Sequence, residues 1–387
     1  MSSIGSLKPI SEANGYRSMY GKHSEDSPLI RRSWVYDILP QLPGWFLNGG
    51  HTSAKIRFLY KRKYQYRQEL LANCPHCSGE RFILLANQER SGLPISVVLC
   101  EDCALVFTNP RIDQESTIEH YARDYREIER GSIADLHNFM FGLQRSKGPV
   151  LWEMMQGAGI KGGQGGTMVD IGCGEGGLLD WFAHNAGFSE CVGFELNKEA
   201  AGFGQAKGVD VRNELFEGSG SYDLVVLEQV LEHISSPAKL MVATARSQKP
   251  GGWLFVGVPG ILNFSSHYGN NFIAYLQYGH LFHYSLYTLE RLIIPFGYRL
   301  ISGDETVRAV FQRVDDVTPA PKTKPLRADD FTRLLLNSEE QFSMQGHQLF
   351  DNRRAYVRYA LLLARSWLTS FHERKAIAAA RNRTIEQ

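Results

Sequence analysis

The chain has little that would tie it to a membrane, to nucleic acid or to an oxidising compartment. No apolar run reaches the length of about 18 residues that a bilayer-spanning helix needs. The opening MSSIGSLKPISEANGYRS has no apolar core of the signal-peptide kind. Net charge is +1, and 21% of the 387 residues are charged, so no excess of one sign draws the chain to a polyanion. Cysteines number six, four of them in two Cys-x-x-Cys pairs. In a reducing compartment such pairs point to metal more readily than to disulfides. These absences predict a cytoplasmic protein of two or three domains, each long enough to bury its own core.

What is present centres on Thr167 to Gly177, TMVDIGCGEGG. The apolar run ending in Asp170 and Ile171 reads as a buried parallel strand. Gly172, Gly174 and Gly176 then alternate before the helix-like LLDWFAHNA. Glycines suit a tight turn that a ligand approaches closely, and the free N–H groups opening the next helix favour polar or anionic groups. A second strand, Cys191 to Leu196, ends in Glu195, at the separation where nucleotide-binding α/β folds place the acid for a ribose diol. Tyr222 to Leu227 is a third buried strand, running into Glu228. Lys249 to Gly252, KPGG, turns the chain into the strand WLFVGV before Pro259.

In these motifs the chain resembles the class I S-adenosylmethionine (SAM) dependent methyltransferases. Within them it is similar to the group with a Val-Leu-Glu-His helix after the fourth strand, here Val230 to His233, and a His-x-x-His-Tyr-Ser motif, here His280 to Ser285. The motifs cover about Asn109 to Phe311. The resemblance implies an α/β, Rossmann-like sheet with helices on both faces and SAM as cofactor. It implies that Asp170, Gly172, Cys173 and Gly174 line the methionine and ribose side, and that Glu195 takes the ribose hydroxyls. Asn213 and Glu214 are the nearest match for an adenine contact. Glu228 and Gln229 stand at a strand tip, where open α/β sheets bind ligands. Cys173 is expected there for its size, since no base pairs with it. Methyl transfer starts from an activated donor, so a base is needed only for a protonated acceptor. His280 is the first candidate, then His283, with Glu228 beside them as a further catalytic candidate; His233 is expected to brace the site.

Ahead of this domain, Cys74, Cys77, Cys100 and Cys103 form two knuckles 22 residues apart, with strand-like RFILLA and LPISVVL between them. That is the layout of a zinc ribbon. Four thiolates close a tetrahedral site, so the zinc would be structural; a redox dithiol needs only one pair. His76 is expected to point outward. Some members of the methyltransferase group carry such a ribbon, sugar-modifying ones included. The expected domains are a tail and basic segment over 1–70, the ribbon over 71–110, the catalytic domain over 111–314, a proline-bearing linker over 315–330 and a helical extension over 331–387.

Three further segments bear on partners. Residues 51–68 carry Lys55, Arg57, Lys61, Arg62, Lys63 and Arg67 with no acid, interleaved with aromatics. They read as a contact with an anionic membrane surface or a polyanion, or as a solvated basic helix whose aromatics pack on the neighbouring domain. Asn109 to Gly157 reads as helical from Ile118, Tyr121, Tyr125, Ile128, Leu136 and Phe139, with the tyrosines assigned to the core rather than the site. Between Pro259 and His280, GILNFSSHYGNNFIAYLQYG is either a lid for a polyhydroxylated acceptor or a packing insertion. The C-terminal helices are expected to pack on the core or to form a homodimer.

The leading expectation is O- or N-methyl transfer to a small molecule or saccharide, such as a nucleotide-linked sugar or a surface or lipid-linked glycan. Sugar C-methyltransferases of the group carry His-Glu-His-Phe where this chain has Tyr278, Gly279, His280 and Leu281, which turns the reading away from carbon. The alternatives are an RNA methyltransferase, which the neutral overall charge disfavours, and a SAM-binding scaffold without turnover.

Overall fold

The computed structural model describes residues 65–90, 93–123, 135–161, 165–314 and 320–351, and of 343–351 only the backbone. The chain begins with strands β1 (Gln68–Glu69), β2 (Phe82–Gln88), β3 (Pro94–Cys100), β4 (Val106–Thr108) and β5 (Arg111–Ile112). Helices α1 (Gln114–Arg123) and α2 (Leu136–Gly157) follow. An alternating part comes next: β6 (Thr167–Ile171), α3 (Gly177–Asn185), β7 (Glu190–Phe194), α4 (Lys198–Ala206), β8 (Val211–Arg212), β9 (Leu224–Glu228), α5 (Pro237–Arg246) and β10 (Trp253–Gly257). Short helices α6 (Phe264–Tyr268) and α7 (Phe272–Tyr275) lead to β11 (Phe282–His283) and α8 (Leu286–Ile293). Strands β12 (Tyr298–Gly303) and β13 (Arg308–Arg313) and helix α9 (Ala328–Asp351) complete the described chain.

Seven strands form the main sheet in the order β12-β13-β10-β9-β6-β7-β8. The five from β10 to β8 are parallel, and β13 and β12 close the sheet antiparallel. This is the Rossmann-like α/β sheet expected. Its central strands are apolar on both faces because helices cover both sides: Leu224 to Leu227 and Leu254 to Val256 are fully buried. On one face Leu151, Trp152 and Met155 of α2 pack with Leu178 and Phe182 of α3.

A second sheet has the order β11-β4-β3-β2. Strands β2 and β3 are the two strand-like segments between the cysteine knuckles. Strand β11 belongs to the His280–Ser285 motif and pairs antiparallel with β4, Phe282 opposite Phe107 and His283 opposite Val106. The ribbon and the catalytic part therefore share one sheet. They also share one core, in which Cys74, Phe82, Val98 and Phe107 pack with Val225, Leu227, Phe282 and Tyr298.

One reading of the chain needs correction, and one left open is narrowed. Asn109 to Gly157 is not continuously helical: β5 comes first, and α1 and α2 are separate helices. Ile118 and Phe139, two of the residues taken as its apolar face, are 39% and 49% exposed, while Ser116, Thr117 and His120 are buried. The near-heptad spacing ran across two elements with different buried faces; Tyr125 and Ile128 lie outside the described residues. The stretch after Pro259 is a packing insertion. Phe264, Phe272, Ile273, Tyr275 and Leu276 are buried in a core with Leu85, Leu93 and Ile95 of the ribbon and Phe331 and Leu335 of α9.

The proposed linker holds to the body where it is described: the backbone N–H groups of Lys322 and Thr323 donate to the buried Glu290 carboxylate, both at 2.8 Å. Of the basic segment, Lys61, Arg62 and Lys63 lie outside the described residues, and Arg67 is paired with Asp113 and Glu115.

Candidate active site

Strand order reverses between β6 and β9, and the crevice beyond the carboxyl ends of such strands is where an open α/β sheet takes its ligand. The glycine turn lies there. Gly172 has φ of +73°, and a Cβ at this position would come 2.7 Å from Val230 Cγ2, so the turn tolerates no side chain. The N–H groups of Gly172 and Cys173 donate to the Phe194 carbonyl at 2.7 and 3.1 Å, which ties the turn to β7.

Glu195 stands just past the end of β7. Its Oε2 accepts from Gly174 N at 2.9 Å and its Oε1 from Asn197 N at 2.6 Å. Both oxygens are thus oriented by backbone N–H groups at the rim of the turn. Asn213 donates to the Glu195 and Leu196 carbonyls at 2.8 and 3.1 Å, so its amide shapes the loop; Glu214 is exposed. Gln229 is exposed, with φ of +60°, and its N–H donates to Gly257 O.

Asp170 and Glu228 supply the negative charge. Asp170 is 3% exposed, and burial, with Glu228 and Glu195 nearby, pushes its carboxyl up to about 8, while Lys147 pulls it back. Glu228 Oε1 accepts from Lys147 Nζ at 2.9 Å, and its buried Oε2 has no partner. A bound cation here would relieve carboxylates held out of water. Cys173 is buried with its thiol pushed well up by burial, and a Cβ at Gly193 would meet its sulfur at 2.5 Å, so the residue fills space.

Helix α2 closes over the turn. Glu175, fully buried, takes His137 Nδ1 and Gln144 Nε2, each at 2.9 Å, and Gln144 Oε1 accepts from Gly177 N at 3.0 Å. A Cβ at Gly177 would lie 2.0 Å from the Phe141 carbonyl, so α2 and α3 meet only because this residue is glycine.

The cleft is thus a glycine turn with two oriented acids and a buried carboxylate pair at the switch point. Residues 125–302 match the family described as "Methyltransferase domain". The chain carries a SAM-dependent methyltransferase domain. Ubiquinone biosynthesis O-methyltransferases are among its relatives: that of Burkholderia thailandensis is 37% identical over 102 residues, 24% of this chain and 43% of that protein. The Caulobacter vibrioides counterpart is 36% identical over 103 residues, 24% of this chain and 40% of that protein. The chain spans about two fifths of the length of these curated relatives. The magnesium protoporphyrin IX methyltransferase of Synechocystis PCC 6803 overlaps 52% of this chain and 100% of its own at 16% identity, with a TM-score of 0.37.

On the far side of β9 the methyltransferase domain gathers its histidines. A short helical turn, Leu231–His233, follows the strand. His233 Nδ1 lies 2.9 Å from Gly279 O, to which the Tyr121 hydroxyl also donates at 2.5 Å; that hydroxyl touches His233 Nδ1 as well. Tyr121 is half-buried, with its hydroxyl in this histidine cluster. His280 packs edge-on to His233, ring centres 4.9 Å apart, and His283 lies 6.0 Å beyond. Burial lowers all three: His233 to about 4, His283 to about 3, and His280 well down, so the rings are neutral near pH 7. Glu232 between them is pushed up to about 8 by burial. Ser285, last of the motif, caps α8 with Thr288.

In the ribbon, Cys74 Sγ is 3.7 Å from Cys103 Sγ, and Cys77 Sγ is 3.5 Å from Cys100 Sγ. That is too far for a disulfide, whose sulfurs lie about 2 Å apart. It fits the edge of a tetrahedron, about 3.8 Å for metal–sulfur bonds of about 2.3 Å. Neighbouring thiols donating from Cys103 and Cys74 hold Cys100 low, ready to ligate as thiolate. The four cysteines thus form a cluster whose geometry could hold a metal ion; His76 stands against Arg291 instead.

Sequence reasoning missed Lys147, Glu175, Gln144, His137 and Glu232. Glu232 stands inside the Val-Leu-Glu-His motif and Glu175 inside the glycine turn TMVDIGCGEGG, whereas His137, Gln144 and Lys147 come from α2, far from any motif.

Proposed function

We propose that the chain transfers a methyl group from SAM to an oxygen, or less readily a nitrogen, of a small-molecule or saccharide acceptor. The observation that carries this reading is the Glu195 carboxylate, fixed between Gly174 N and Asn197 N at the rim of the glycine turn. A carboxylate held at that place suits a ribose diol, and Asp170 with the unpartnered Glu228 Oε2 suits the cationic end of the cofactor. SAM supplies a methyl group on a sulfonium, a carbon already activated for displacement. The chain's own residues orient and desolvate: α2 covers the turn through Glu175 and Gln144.

Oxygen is favoured because the relatives matched over this part of the chain are named O-methyltransferases. The acceptor side is assigned to Tyr121, His233, His280 and His283. The four cysteines hold a structural zinc ion, and the reading sets the enzyme in the cytoplasm, where thiols stay reduced. Residues 51–68 as a membrane contact and the C-terminal helices as a dimer interface remain part of the proposal.

The test is to incubate purified protein with methyl-labelled SAM and a soluble-plus-membrane extract of its own cells. Label in a ribonuclease-resistant saccharide or lipid pool, or in a soluble small molecule, is expected. Label lost on ribonuclease treatment would overturn the acceptor class, and intact SAM binding without label in any fraction would count against turnover.

A further inference from the structure

The insertion after Pro259 and helix α9 leave between them a cleft of about 410 Å³. One wall is α6 with the turn behind it, through Ser265 and Asn270; the other is a face of α9. Asp330, Arg333, Asn337, Ser338 and Gln341 recur on that face at helical spacing, while Phe331 and Leu335, on the next face, pack into the core. Among the described residues only Leu334 lines the cleft with an apolar side chain.

The polar lining has work left to do. Ser265, Asn270, Asn337, Ser338 and Gln341 bring hydroxyls and carboxamides, and none of these side chains hydrogen-bonds to another described residue. Ser338 is 7% exposed, and a hydroxyl held so far from water is costly without a partner. Asn270 has φ of +65°, in the left-handed region that asparagine tolerates, and its N–H donates to Ser265 O at 3.2 Å, which fixes the turn. Asp330 and Arg333 lie 3.6 Å apart and cancel, so the lining has no net charge to draw a phosphate or carboxylate, and it offers no ring for a base to stack on. A carboxamide sets a donor beside an acceptor, which matches adjacent sugar hydroxyls, each donor and acceptor at once.

We propose that this cleft binds a neutral saccharide and anchors a saccharide acceptor outside the cofactor turn. Its role as an anchor rests on the methyl-transfer reading above; the binding of sugar does not. The insertion that forms one wall also reaches the histidines. Phe264 packs on Phe272 and Tyr275, with ring centres 5.4 and 6.4 Å apart, and the Tyr275 ring lies 5.4 Å from that of His283. A sugar seated beside α6 is therefore held by the same aromatic block that borders the acceptor side.

The test is saturation-transfer NMR on the full chain with maltotriose, mannotriose, lactose and N,N′-diacetylchitobiose, titrated to give Kd. At least one of these neutral probes should bind. Asn270→Gly, which keeps the left-handed turn, and Ser338→Ala should each raise its Kd by about five- to tenfold, with SAM Kd unchanged. No transfer to any of the probes would overturn the site, as would binding that both variants leave intact. The labelling experiment above separates this claim from the methyl-transfer reading. A probe that binds the cleft while no saccharide gains label upholds the site and sinks the saccharide acceptor; labelled saccharide with no probe bound does the reverse.

Discussion

Lys147 Nζ lies 2.9 Å from Glu228 Oε1, joining helix α2 to the tip of strand β9. The ammonium is a counter-charge for a cleft with three carboxylates, and it lowers the proton affinity of Asp170 and Glu232.

The pH dependence of SAM binding should follow from Asp170. Its carboxyl is raised to about 8, so near neutral pH it holds a proton that a bound cation would expel. Affinity should therefore rise with pH, by up to about tenfold per unit below pH 8, and level off above it. Calorimetry at pH 7 in buffers of different ionisation enthalpy should detect proton release. Lys147→Met removes a charge that favours the ionised form, so the profile should move to higher pH. A profile flat from pH 6 to 9 would contradict this account.

Glu195→Gln keeps the size of the side chain but gives up its charge and one acceptor. Charge-assisted hydrogen bonds contribute about 1.5–3 kcal/mol. SAM Kd should rise by about 10- to 100-fold, with Tm lower by only about 2–4 °C. An unchanged Kd would remove Glu195 from the binding site.

Gly177→Ala tests the helix contact. The new methyl would meet the Phe141 carbonyl at 2.0 Å, and backbone cannot step aside as a flexible side chain can. A loss of about 1–3 kcal/mol or more is expected in denaturant unfolding. Gly202→Ala in α4 meets nothing within 4 Å and should instead add about 0.5–1 kcal/mol. Equal effects of the two would argue against the close approach.

Removing metal from the cysteine cluster should destabilise more than the ribbon. Strand β11 continues the ribbon sheet, and the knuckle residue Cys74 sits in the core that holds Leu227. Chelation should lower Tm by about 10 °C or more in a single transition, and SAM binding should weaken with it. Two separate transitions, with the SAM-dependent one unmoved, would show that the ribbon folds independently.

The local elements of this protein are written in its sequence. A run such as DLVVLE has one stable place, a strand covered on both faces, and the glycines after Asp170 permit one tight turn, so the strands, the turn and Glu195 can be read directly. The cysteine knuckles are equally local, because ligand spacing sets their geometry. Residues brought in from afar cannot be read in this way. Lys147 and Glu175 meet their partners only once α2 has docked. Periodicity does not show which face a helix buries, so Tyr121 could not be placed beside His233, and the aromatic stretch after Pro259 stayed open between lid and packing insertion because its hydrophobic partners in the ribbon and α9 lie far away in sequence. The sequence by itself determined the parallel sheet, the cofactor turn and the thiol cluster, since each depends on neighbours a few residues apart. Only the tertiary structure decided that the ribbon shares a sheet with the His280–Ser285 motif and that Glu232, His233 and His280 converge, because those contacts form when distant segments bury their apolar faces together.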